Sequence, residues 1–153
     1  GTGAEFVNKP LSLDVDYQGN LYYTQTGDYF PVHMIIPNFS GDYTTYSSGF
    51  DQLIDDIMDS TLFSNPMDVA VDKDRNIYVV DSTKGDVSVF NTNGKFFKKA
   101  GYASKEDTVS IMNEPVAVTV DQRGVVYVCD QGDGAIYRFK LSNSLNEDLK
   151  PED

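Results

Sequence analysis

The feature that most limits what this chain can fold into is a unit written out three times. Its clearest copy runs from Asn65 to Gly101, NPMDVAVDKDRNIYVVDSTKGDVSVFNTNGKFFKKAG. Val69-Ala70-Val71 is followed by the polar break Lys73-Asp74-Arg75-Asn76. Ile77 to Val80 is a β-branched and aromatic run that ends at Asp81, and Val87-Ser88-Val89-Phe90 alternates apolar and polar. Asn93-Gly94 is a strong hairpin signal, with Phe96-Phe97 after it. The pattern predicts four short strands joined by tight turns, one antiparallel sheet too small to bury itself.

The unit recurs without a gap in NEPVAVTVDQRGVVYVCDQGDGAIYRFK, Asn113 to Lys140, where Pro115, Asp121, Tyr127 and Asp130 fall on Pro66, Asp72, Tyr78 and Asp81. A weaker copy, NKPLSLDVDYQGNLYYTQTGDY, covers Asn8 to Tyr29; Pro10, Asp16 and Tyr22 hold their places and Gln25 replaces the second Asp. The aligned prolines, Pro10, Pro66 and Pro115, lie 56 and 49 residues apart. A period of this size marks stacked units that complete one another's cores. The segments PMDVAVDKDRNIYVVD and PVAVTVDQRGVVYVCD resemble the NHL repeat, a blade of β-propellers. That resemblance implies an all-β, propeller-like array of four-stranded antiparallel blades. It implies no single function, because propellers of this kind bind proteins, RNA or sugars, sense ligands, or carry out hydrolysis and lyase chemistry.

The expected organisation is one propeller segment over 1–153: blade 1 over about 8–47, a helical insert over about 48–62, blade 2 over about 65–101, blade 3 over about 113–145, and a polar tail, 146–153. Leu11, Leu13 and Val15 alternate with Ser12, Asp14 and Asp16. Pro31 to Ile36 reads as the third strand of blade 1 and Tyr43 to Tyr46 as its fourth. Phe50, Leu53, Ile54, Ile57 and Met58 share one helical face, with Asp51, Asp55, Asp56 and Asp59 opposite. Ser104 to Asp107 is expected to form one helical turn. Residues 141–149, or Gly3 to Val7 from the other end of the chain, are the candidates for the fourth strand of blade 3.

Propellers close with four to eight blades, so three leave two open faces. Three resolutions stand side by side: the chain belongs to a longer protein, two copies pair as a homodimer completing a six-bladed ring, or the ring stays open with the insert capping one end.

The formal net charge of −12, from 24 acidic and 12 basic side chains, repels phosphate and argues against a nucleic-acid partner. No run approaches the ~20 apolar residues of a membrane-spanning helix. The single cysteine, Cys129, lies in VVYVCD and reads as a small buried hydrophobe.

Asp72-x-Asp74-x-Asn76 starts like a calcium loop, but the sixth and twelfth positions are Ile77 and Thr83, where Gly and Glu are needed. The common element of the three copies is instead a hairpin turn after Asp. Asp81 and Asp130 are expected to accept hydrogen bonds from turn amides. His33, the only histidine, is expected to pack within a strand, and Arg138 and Lys140 to point outward around Phe139. No phosphate cradle, nucleophile elbow or Cys/His cluster is present, so neither a catalytic residue nor a cofactor is expected. Thr26-Gly27-Asp28, Lys84-Gly85-Asp86 and Gly132-Asp133-Gly134 form one family of turns that should emerge on one face. That face, with Tyr29, Asp81, Thr83, Lys84, Gln131 and Asp133, is the candidate binding surface. The chain is expected to be a non-catalytic ligand-binding or protein-interaction module with a protein or glycan partner, secreted or at a cell surface. The alternative is part of a propeller hydrolase or lyase with a metal in the channel.

Overall fold

The computed structural model of the chain describes residues 9–26, 32–36, 57, 60–102 and 108–140. Among these residues the fold is all-β. The strands are β1 (Pro10–Val15), β2 (Leu21–Gln25), β3 (Val32–Ile35), β4 (Pro66–Val71), β5 (Ile77–Asp81), β6 (Asp86–Phe90), β7 (Phe96–Ala100), β8 (Pro115–Val120), β9 (Val125–Asp130) and β10 (Ala135–Lys140). They form three separate antiparallel sheets, in the orders β1-β2-β3, β4-β5-β6-β7 and β10-β9-β8. Each sheet is one copy of the repeat, and we refer to them as blades 1, 2 and 3.

The blades share a register. Leu13 pairs with Tyr23, Val69 with Val79 and Val118 with Val128. The first strand of every blade slips by one residue just after its proline. Proline has no N–H to give the ladder, which makes the start of a strand the place it is tolerated. The turn after the first strand needs a left-handed residue three positions beyond the repeat Asp. Gly19 (φ 85°) and Gly124 (φ 79°) fill it in blades 1 and 3, and Arg75 (φ 65°) in blade 2. An L-residue there costs about 1–2 kcal/mol.

The core lies between blades, not within them. Tyr22, Val32 and Met34 of blade 1 pack with Val69, Ile77, Val79 and Phe90 of blade 2, together with Ile57 and Phe63. On the other side of blade 2, Ala70, Tyr78, Val80, Val87, Val89 and Ala100 meet Val118, Val126, Val128 and Phe139 of blade 3. Each large apolar side chain buried in these joints is worth about 1.5–3 kcal/mol. Because blade 2 is covered on both sides, β5 and β6 are buried at every residue, which is why IYVV shows no polar alternation.

One expectation changes here, and one face is assigned. Cys129 is exposed, because it lies on the side of blade 3 that no described residue covers. On β1 it is the polar side that faces the neighbouring blade. Asp14 accepts a hydrogen bond from the Val71 amide at 2.7 Å and Ser12 donates to Asp68, while Leu11, Leu13 and Val15 stay exposed.

Of the expected helical insert, residues 48–56, 58 and 59 lie outside the described residues. The described part holds one 3-10 turn, Ser60–Leu62, and the buried Ile57, whose amide donates to the Gly94 carbonyl at 2.8 Å. The described residues therefore contain no α-helix. The strand expected at 43–46, the turn at 104–107 and residues 141–153 also lie outside them. No helix of the described residues is long and apolar enough to cross a membrane.

Candidate functional site

Two kinds of Asp-centred knot hold every blade, and they fix what each end of the sheet can present. At the first end, the Asp that closes the first strand ties the hairpin turn after it. Asp72 accepts from the amides of Asp74 and Asn76, both at 2.8 Å, from Asn76 Nδ2 at 2.8 Å and from the Tyr78 hydroxyl at 2.9 Å. Asp16 does the same with Gln18, Asn20 and Tyr22. Asp121 binds the amides of Arg123 and Val125 and the Arg123 guanidinium. The carboxylate of each Asp is bonded mainly to the turn that follows it, which makes these loops hairpins.

Electrostatics follow from this bonding. Burial pushes the Asp16 carboxyl up, but the hydrogen bonds of Asn20, Gln18 and Tyr22 outweigh it and hold it below its ordinary value of 3.8. Burial, then the charge of Asp72 and its hydrogen bond, push the Tyr78 phenol well above the ordinary range. Arg75 reaches from blade 2 to Asp16 of blade 1 at 2.9 Å, an ion pair across the joint.

At the opposite end, Asp81 and Asp130 each gather two pieces of chain. Asp81 accepts from the amides of Ser64 and Asn65, in the segment leading into blade 2, and from Thr83 (3.1 Å) and Lys84 (3.0 Å), in the β5–β6 turn. Asp130 accepts from Asn113 (2.8 Å) and Glu114 (3.1 Å) ahead of blade 3 and from Asp133 (2.8 Å) in the β9–β10 turn. Burial raises the Asp130 carboxyl, and the amides of Asp133, Glu114, Asn113 and Gly132 bring it below its ordinary 3.8. Backbone bonds from Ser82 to Asn65 and from Gln131 to Glu114 complete each knot.

The candidate surface residues now divide. Asp81 is buried, at 1% exposed, so it braces the surface instead of belonging to it. Lys84 is half-buried and its ammonium is spent on the carbonyls of Thr61 and Leu62. Thr83, Gln131 and Asp133 are exposed on neighbouring turns. Asp133 is also held by the Tyr137 hydroxyl at 2.7 Å. Tyr29 lies outside the described residues. His33 is half-buried in β3 and stacks on Tyr23 with ring centroids 5.0 Å apart. Arg138 and Lys140 are exposed on either side of the buried Phe139.

Gly85 and Asp86, expected in a turn on the surface, are buried and shape this end from within, and Ser110 was not singled out by the sequence. Gly85 sits at φ 70° with the Met112 carbonyl 2.8 Å from where a Cβ would be, so the segment before blade 3 lies directly against the β5–β6 turn. Ser110 pins that segment: its hydroxyl donates to the Gly101 carbonyl at 2.8 Å, lies against the Gly85 carbonyl, and accepts from the Met112 amide at 2.9 Å. Asp86, wholly buried, accepts from Lys99 Nζ at 2.6 Å and from the Tyr102 hydroxyl at 2.9 Å. Burial and then that hydrogen bond push the Tyr102 phenol up to about 12. The available signal for this end was the repeated Asn and Pro ahead of blades 2 and 3, which marks the segments that the buried Asp clamps.

No protein-family model matches the chain, and no curated protein is similar to it at a significant level. Solved structures do match. One is PorZ, an essential bacterial surface component of the type-IX secretion system of Porphyromonas gingivalis: 15% identity, 86% of this chain, 19% of that one, TM-score 0.59. Another is virginiamycin B lyase from Staphylococcus aureus: 13% identity, 90% of this chain, 43% of that one, TM-score 0.48. The chain thus spans less than half the length of either. At 15% identity the likeness to PorZ concerns the fold alone, an array of antiparallel blades, and carries no activity across.

Proposed function

We propose that this chain is a segment of an NHL-like propeller, with the blade boundaries expected from its repeats, that works as a protein-interaction module. Its contact surface is the end of the blades carrying the β5–β6 and β9–β10 turns, and Thr83, Gln131 and Asp133 make the contacts. The observation that supports this is the pair of buried carboxylates, Asp81 and Asp130. Each ties a lead-in segment to the neighbouring turn through at least three amides. Turns held this way lose little conformational freedom when a partner docks, so more of the contact energy appears as affinity. Polar side chains standing on such a frame are the usual means by which a rigid scaffold recognises another molecule.

The test is capture from an extract of the source cells and their culture medium by the immobilised chain, beside a triple variant, Thr83→Ala, Gln131→Ala, Asp133→Ala. A reproducible protein bound by the wild type and lost by at least tenfold in the variant is the expected result. Equal capture by both, or binding on a glycan array with no protein captured, overturns the reading.

A further inference from the structure

The end of the blades that carries the β5–β6 and β9–β10 turns is unevenly charged, and the imbalance lies beside an aromatic ring. Asp86 is wholly buried there. Both donors that reach it, Lys99 Nζ at 2.6 Å and the Tyr102 hydroxyl at 2.9 Å, go to Oδ2. Its Oδ1 is buried with no hydrogen-bond partner. A buried carboxylate with one oxygen bare is costly, and its field is weakly screened by the protein around it. The cations beside it are already committed, Lys99 to Asp86 and Lys84 to the carbonyls of Thr61 and Leu62. Glu114 and Asp133 stand exposed, and the Tyr137 hydroxyl bonds Asp133 without neutralising it. The ring is that of Tyr102. Its hydroxyl is turned onto a wholly buried carboxylate, so this half-buried residue leaves its ring, and not its polar tip, at the surface. The segment leading into blade 3 crosses beside it. The Ile111 amide donates to the Gly101 carbonyl at 2.6 Å, and the Ser110 hydroxyl donates to the same carbonyl at 2.8 Å. That segment carries Val109, which is 77% exposed. Its Ile111 carbonyl lies 3.1 Å from the Tyr137 hydroxyl, the group that also holds Asp133. Fixed backbone thus brings a ring, an aliphatic side chain and exposed carboxylates to one surface.

We propose that this surface selects a basic segment of a partner protein, with an arginine or lysine packed on the Tyr102 ring and Val109 and its charge met by Glu114 and Asp133. The inference rests on the reading of this end as a protein-contact surface and names the chemistry of the partner. A cation over an aromatic face is drawn by the ring quadrupole. The aliphatic stem of the same side chain covers an apolar neighbour such as Val109 while its head stays polar. The half-compensated charge of Asp86 lies under the ring and adds to the attraction. An acidic partner meets Glu114 and Asp133 with like charge and finds no uncommitted cation in Lys84 or Lys99. That repulsion supplies the other half of specificity.

The test uses fluorescence anisotropy on the whole chain with three labelled peptides, Gly-Arg-Gly-Leu, Gly-Gln-Gly-Leu and Gly-Glu-Gly-Leu, each repeated three times. The arginine probe is expected to bind at least about tenfold more tightly than the glutamine probe, and the glutamate probe not at all. Tyr102→Leu is expected to weaken the arginine probe about threefold, and Tyr102→Phe, which keeps the ring, to hold it near wild type. Glu114→Gln is expected to weaken it about threefold as well. Asp74→Asn removes the same charge at the opposite end of the blades and is expected to change nothing; equal weakening by both means a general pull of the net charge and overturns the proposal. So do arginine and glutamine probes that bind alike, or a Tyr102→Leu variant, folded by circular dichroism, that binds the arginine probe as wild type does. The capture experiment separates this inference from the reading beneath it. A captured protein lost in the triple variant of Thr83, Gln131 and Asp133 but kept by Tyr102→Leu and by Glu114→Gln overturns the basic partner and leaves the contact surface standing. An arginine probe that binds as expected, with no protein captured, supports the cation preference and overturns the contact surface.

Discussion

Blade 2 and blade 3 are built from the same repeat, in the same register and with the same Asp knots, yet their strands live in different solvents. Every residue of β5 and β6 is buried, whereas β10 alternates between exposed and covered. Tyr78 is wholly buried and its counterpart Tyr127 only half so; Val80 is wholly buried and its counterpart Cys129 exposed. Nothing in the strands themselves causes this. A blade in a fanned array has two faces to cover, and only a neighbour on each side covers both. The comparison teaches that residue-level burial in such a protein is a property of the joint, and that a change of the same size has different consequences in an inner and an outer blade.

The largest contrast is expected for a charge placed at one repeat position in each blade. Val87→Asp puts an unpaired carboxylate into the joint between blades 2 and 3, at a cost above about 4 kcal/mol, enough to abolish cooperative unfolding. Ile136→Asp, on a side of blade 3 that no described residue covers, is expected to keep the thermal midpoint within a few degrees. Equal damage at both positions breaks the comparison.

The next effect concerns what the blades share. Asp130→Ala leaves the amides of Asn113, Glu114 and Asp133 without their acceptor and is expected to cost on the order of 3 kcal/mol, read from the urea midpoint. Asp81→Ala is expected to cost a similar amount, because these knots close within one blade and its lead-in segment. A much larger loss for Asp81 would mean that the knots, too, depend on the neighbours.

Acid sharpens the same point. Asp16 and Asp130 have folded values below the ordinary 3.8, so on acidification the unfolded chain takes up protons first. Their contribution is complete above about pH 5 and is lost as pH falls through the folded values. Urea unfolding at pH 6, 4 and 3 should show the midpoint falling mainly below pH 4, with a shallower fall in Asp130→Asn.

The smallest contrast separates two arginines. Arg75 crosses a joint to the buried Asp16, whereas Arg123 pairs with Asp121 inside its own exposed turn. Removing Arg75 to Ala is expected to cost about 1 kcal/mol, and Arg123→Ala close to nothing, as is usual for surface pairs.

Much of the blade was legible in the residues. The run IYVVD and the alternation in DVSVF became β5 and β6, Asn93-Gly94 became the turn into β7, and the Asp after each first strand became the acceptor of its hairpin. These features are local, set by spacing of two along a strand and by the reach of a carboxylate over two to four residues. The candidate surface was half legible. The turns carrying Thr83, Gln131 and Asp133 are exposed, but Asp81 is a buried brace and Lys84 is turned to backbone carbonyls. A side chain's partners from a segment sixteen or more residues away leave no periodic mark. Asp86, expected in a turn on that face, is wholly buried under Lys99 and Tyr102, and Ser110, which pins the segment before blade 3, went unnoticed.

By itself, then, the order of residues determined three small antiparallel sheets, their common register and their Asp-tied turns, because each rests on contacts close along the chain. Only the tertiary structure decided which face of β1 looks toward its neighbour, that the acidic side is the one turned inward, and that Cys129 and Ile136 stand in solvent. Those outcomes depend on which blade lies next to which, and packing between sheets is made by residues about fifty positions apart, beyond the range over which any local pattern can speak.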